Sequence, residues 1–133
     1  MSDDEAAEYF FRDLAEANGI ASPDGMQFVK LITEMPFTAT DLPPTAVIRG
    51  GIGRQRVAQG RDTDVAGNPR QLEAKWVRID LCIVRLPSVS TDLLITLTTP
   101  GEAAQDTMEY LDGTFLTILQ SFRIIDWTLF GGE

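Results

Sequence analysis

The chemistry open to this chain rests on one thiol, a scatter of carboxylates, a run of arginines and one glycine-rich stretch. There is no histidine, which removes the imidazole base, histidine-containing catalytic triads and most zinc sites. Cys82 sits inside the apolar run Lys75–Leu86 and reads as a core residue, because a nucleophilic thiolate needs exposure and an adjacent base. Ser121 lies between Gln120 and Phe122 and lacks the flanking glycines of a nucleophile elbow. The stretch Gly50-Gly51-Ile52-Gly53-Arg54 has neither phosphate-loop spacing, and no helical pattern follows it to supply free amides. It reads as a bend or bulge in a strand. Asp62 and Asp64 lack the alternating ligands and closing Glu of a calcium loop. Asp92 and Asp126 border strand-like segments; a buried pair would suit acid–base work, but capping of neighbouring amides is the simpler role. No enzyme, metal or cofactor is expected.

The arginines are the more distinctive set. Eleven basic and twenty acidic residues give a formal charge of −9. Between Thr45 and Arg85, however, eight basic residues stand against four acids. An acidic chain repels phosphate backbones and anionic lipid, so neither nucleic acid nor a membrane is an expected partner. Arg54 and Arg56 have strand parity and fall on one face, a candidate docking surface for an acidic partner; the same arginines are equally able to pair with the acidic N-terminal segment. Trp76 and Trp127 are of the type that anchors interfaces and equally at home in a small core. The single cysteine cannot form an internal disulfide, and no apolar run spans a bilayer, which points to a reducing, intracellular setting.

The elements that must position these residues are legible. Ser2 and Glu5 form a capping-box pattern ahead of Ala7, Phe10, Phe11 and Leu14, predicting a helix over 3–17 stopped by Asn18-Gly19. Strands are expected over 26–35 and 45–59, then a polar loop over 60–71. The clearest strand covers 75–86, where Val77, Ile79, Leu81 and Ile83 alternate with Arg78, Asp80 and Cys82. A strand over 91–99 follows closely enough to pair antiparallel with it. Leu111, Phe115, Ile118, Leu119 and Phe122 stripe a helix over 111–122, and a short strand over 123–130 closes the chain. The expected fold is a single α/β (α+β) domain over 1–133, a mainly antiparallel sheet of four or five strands flanked by helices.

Three parts of the chain also carry a recognisable pattern. Val77 to Pro87 with Arg85-Leu86 near its end, then Thr91-Asp92 leading Leu93 to Leu97 and Pro100, resembles the paired strands of the Ran guanine-nucleotide release factors. Ser121-Phe122-Arg123-Ile124-Ile125-Asp126-Trp127-Thr128-Leu129-Phe130-Gly131 resembles that family's closing strand, and Tyr9 to Asn18 resembles its helix. The resemblance implies a fold like the PsbP subunit of photosystem II and a non-enzymatic protein that binds the small GTPase Ran, favours nucleotide release and assists nuclear protein import, in nucleus and cytoplasm. Arg85, Thr91, Asp92 and Asp126 then read as fold determinants, with Arg54, Arg56 and Trp127 as partner surface. Family members begin with a Gly-Gly-Ala strand and an acidic region before the helix, so the resemblance further implies a chain shortened at its start. None of the family's acidic contact residues is carried onto Asp3, Asp4 or Glu5. A sheet left with an open edge is adhesive, which implies self-association through that edge. The alternative reading is a PsbP-like scaffold for another partner, or a shortened relative without Ran activity.

Overall fold

A computed structural model describes residues 1–20, 22–35, 42–58, 74–100, 108–124 and 128. The first helix, α1 (Asp3–Ala17), opens on the expected capping box: the Glu5 amide donates to Ser2 Oγ at 3.2 Å and the Ser2 amide to Glu5 Oε2 at 3.1 Å, satisfying two donors that a helix start leaves orphaned. Gly19, at φ 81°, supplies the left-handed residue that ends it. Ala6, Ala7, Phe11 and Ala15 line its buried face, and the three alanines bring the helix close to the sheet so that Phe11 is the one large side chain they flank.

Among the described residues four strands follow: β1 (Met26–Ile32), β2 (Val47–Ala58), β3 (Ala74–Leu86) and β4 (Thr91–Thr99). They pair antiparallel in the order β1-β2-β3-β4. The last helix, α2 (Gly113–Gln120), belongs to the opposite core from α1. Ala6, Ala7, Phe11, Val77, Ile79, Leu81 and Ile83 form one core, while Ile52, Cys82, Val84, Leu86, Leu111, Phe115 and Leu119 form the other. The central strand β3 is therefore buried on both sides, and Arg78, Asp80 and Cys82, which alternation alone places on a polar face, are interior. The edge strand β4 keeps a one-sided pattern, Leu93, Ile95 and Leu97 half-buried and Asp92, Leu94, Thr96 and Thr98 exposed.

Three expectations are corrected. The bulge lies in β1, where Phe28 pairs with Gly53 and Lys30 with Ile52 and leaves Val29 extra; β2 runs through its glycines in unbroken register with β3. Two of those glycines admit rings instead, since a Cβ on Gly51 would stand 2.7 Å from Phe28 and one on Gly53 would stand 2.6 Å from Phe11 Cζ. The second helix is shorter than its apolar stripe because Asp112 caps it, accepting from the Thr114 and Phe115 amides. Ile118 is 45% exposed, as the buried line runs through every fourth residue, Leu111, Phe115 and Leu119. Most of the expected closing strand, and the loop over 60–71, lie outside the described residues.

Candidate partner-binding surface

Of the residues singled out by the family resemblance, the fold brings Arg85, Thr91 and Asp92 together. Arg85 stands opposite Asp92 in the β3–β4 register. Its Nε donates to Asp92 Oδ1 at 3.2 Å, while Nη1 reaches Asp3 Oδ1 at 3.0 Å and the Met1 carbonyl at 3.2 Å. Thr91 Oγ1 donates to the Val89 carbonyl at 2.9 Å, closing a turn whose Ser90 is left-handed at φ 50°. Beside it, Arg49 Nε donates to Asp4 Oδ1 at 2.7 Å. Two sheet arginines thus clamp the acidic first turn of α1, where the helix dipole already favours negative charge. A polar hollow of about 420 Å³ lies against Asp3, Arg85, Ser90, Thr91 and Asp92. Its arginine is committed to carboxylates of the same chain, so the knot holds the helix to the hairpin.

The other face carries a network that sequence reasoning missed. Asp80, fully buried, accepts Arg78 Nε at 2.8 Å, Arg78 Nη2 at 3.0 Å and the Asp112 amide at 2.8 Å. Arg78 Nη2 also donates to the Tyr110 carbonyl at 2.7 Å. A bidentate pair of this kind survives burial because both carboxylate oxygens accept hydrogen bonds, Oδ1 one and Oδ2 two. It fixes the entry to α2, turning Leu111 into the core while the Tyr110 ring stays 72% exposed. Lys30 Nζ lies 5.8 Å from the centre of that ring, within cation–π range. The signal available in the sequence was an Arg-x-Asp pair inside an otherwise apolar strand.

Arg54 and Arg56 lie on the α2 face of β2, opposite Arg78 and Trp76 respectively. Seven register positions separate Arg54 from the pairing partner of Arg85, about 23 Å along the strand, so the two predicted groups are distinct places. Asp126 and Trp127 lie outside the described residues. Among the described residues no group of three or more His, Cys, Asp or Glu is placed to hold a metal ion, and no helix is long and apolar enough to cross a membrane.

Cys82 is buried, and desolvation pushes its thiol up to about 12. Two consequences are expected. The native chain does not react with a thiol-exchange chromophore at pH 8 and reacts fully once unfolded in urea. Stability also falls as pH rises from about 9 towards 12, since the unfolded thiol loses its proton there and the folded one keeps it. A fast native reaction would place the thiol at the surface, contrary to the structure.

Comparison with known proteins adds the last observation. A family model described as Ran-interacting Mog1 protein matches residues 1–100, which take in α1 and all four strands. The chain is also 28% identical over 141 aligned positions to the Ran guanine nucleotide release factor of Danio rerio, covering 98% of this chain and 71% of that protein. No solved structure matches.

Proposed function

The chain belongs to the Mog1 family of Ran-interacting proteins, and from that premise we propose that it binds Ran, promotes release of its guanine nucleotide and so serves nuclear protein import, passing between nucleus and cytoplasm. The observation that carries this reading is the extent of the family match, which includes the whole sheet, the helix on it and the Arg85–Asp92–Asp3 knot. A protein of this kind needs no catalytic groups. It speeds release by binding the nucleotide-poor state of the GTPase more tightly than the loaded state, and the coupling is reciprocal: nucleotide weakens its binding by the same factor.

Titration calorimetry against Ran loaded with GDP, loaded with GTP and stripped of nucleotide tests the proposal. Binding at least about tenfold tighter to the stripped form is expected, a coupling of about 1.4 kcal/mol. A labelled-GDP assay should show release accelerating with added chain. The outward side of α1 carries exposed Glu5, Asp13 and Glu16, so affinity is expected to fall between 50 and 300 mM salt, as screening shortens the reach of exposed charge. Failure to bind any form of Ran, by a chain that unfolds in one sharp transition, would overturn the proposal.

A further inference from the structure

Arg54 is held differently from its neighbour across the sheet. In Arg78 the Nε/Nη2 edge of the guanidinium is filled by the two oxygens of Asp80, two residues along the same strand. In Arg54 the same edge receives only one acceptor: Nη2 donates to Gln27 Oε1 at 2.7 Å, and Nε is buried with no hydrogen-bond partner. The residue two along β2 is another cation, Arg56. A buried donor without an acceptor is uncommon and calls for a reason. Here the reason has a defined shape, since the Nε/Nη2 edge matches both oxygens of a carboxylate and the amide oxygen of Gln27 meets half of it.

The surroundings suit a carboxylate from outside. Arg54 and Arg56 share a face with Arg78, Trp76 and Gln27 by strand register, and Asp80, the acid that the described strands place on that face beside them, already accepts three hydrogen bonds. Gln27 and Arg56 are exposed, so the amide is able to swing aside while Arg56 supplies a second charge. In a chain of net charge −9 this is a local positive corner, and its short reach matches one or two side-chain carboxylates better than a continuous polyanion, which the rest of the surface repels. We propose that the Arg54 corner is a docking site for an acidic protein segment, one Asp or Glu of which is taken edge-on by Arg54 Nε and Nη2, displacing Gln27, with Arg56 pairing the next acid.

The test follows the arginine Nε–Hε resonances of the full isotope-labelled chain during titration with a hexaglutamate peptide. The Arg54 resonance is expected to shift saturably while that of Arg85, whose Nε already donates to Asp92, stays put. Arg54→Lys, which keeps the charge and loses the planar fork, should weaken binding about tenfold, and Arg56→Lys by much less, with thermal midpoints unchanged. Three results would overturn the proposal. One is no Arg54 shift at peptide concentrations of about 10 mM. Another is equal loss in the two lysine variants, which would mean diffuse charge. The third is a shift of Arg54 in peptide-free Asp62→Asn or Glu73→Gln protein, which would mean that the chain fills the edge itself. Stronger binding of inorganic phosphate or an oligothymidylate than of the peptide would likewise reject an acidic protein segment as occupant.

Discussion

Asp80→Ala is expected to cost about 3–5 kcal/mol of stability, enough to unfold a marginal domain of this size at physiological temperature. The carboxylate is fully buried and receives three donors, two from Arg78 and one from the Asp112 amide. Removing it takes from the Arg78 guanidinium, itself only 5% exposed, the carboxylate that meets its Nε and Nη2, and takes from the Asp112 amide its acceptor. Urea titration should show the midpoint fall with little change in slope, and the thermal midpoint should drop by about 10–20 °C. The damage should also have a place: because Asp80 holds the residue that caps α2, amide exchange across Gly113–Gln120 should quicken more than exchange in β2. Replacing both partners, as Arg78→Met with Asp80→Leu, should recover much of the loss, since a buried ion pair contributes little net stability beside an apolar pair of like volume. A single-variant cost below about 1 kcal/mol would mean that the pair is solvated, and the assignment of Asp80 to the interior would fail.

The second large effect is expected at the contact between α1 and the sheet. A Cβ on Gly53 would stand 2.6 Å from Phe11 Cζ and 2.7 Å from the Gln27 carbonyl oxygen, distances real side chains do not adopt. The carbonyl is backbone of the paired strand β1 and cannot swing away. Gly53→Ala should therefore cost at least about 1–3 kcal/mol by overpacking, although alanine ordinarily gains over glycine by reducing the freedom of the unfolded chain. Gly113→Ala, where nothing lies within 4 Å of the added carbon, is the control and should be neutral or slightly stabilising. Phe11→Ala removes a fully buried ring and should cost about 3–5 kcal/mol. Combined in one chain, Phe11→Ala and Gly53→Ala should cost less than the sum of the two, because the cavity left by the ring accommodates the new methyl. Denaturation of the parent chain, the two single variants and the double variant measures that coupling directly. Additive losses would mean that the Gln27 carbonyl, rather than the ring, sets the penalty.

What the amino-acid sequence determined by itself is the local order of the chain. Ser2 and Glu5 specify the start of α1 through bonds spanning three residues. Pro87 ends the apolar run of β3, and Thr91 to Thr99 alternates cleanly because β4 is an edge strand with one covered side. The absence of histidine narrowed the chemistry before any fold was known. Tertiary structure alone decided which neighbours are distant in sequence. Arg78 and Asp80 look like the solvent side of a strand by periodicity, and become interior because α2 covers that side too. The glycines of β2 look like breaks, and two of them, Gly51 and Gly53, are seats for rings from β1 and α1. The arginines divide by what the fold sets beside them: Arg49 and Arg85 meet the acids of α1, Arg78 meets Asp80, and Arg54 meets only the amide of Gln27. Charge along the chain states how many cations there are. Their pairing depends on contacts between residues up to 82 positions apart, and such contacts exist only once the sheet has ordered them, which no local pattern encodes.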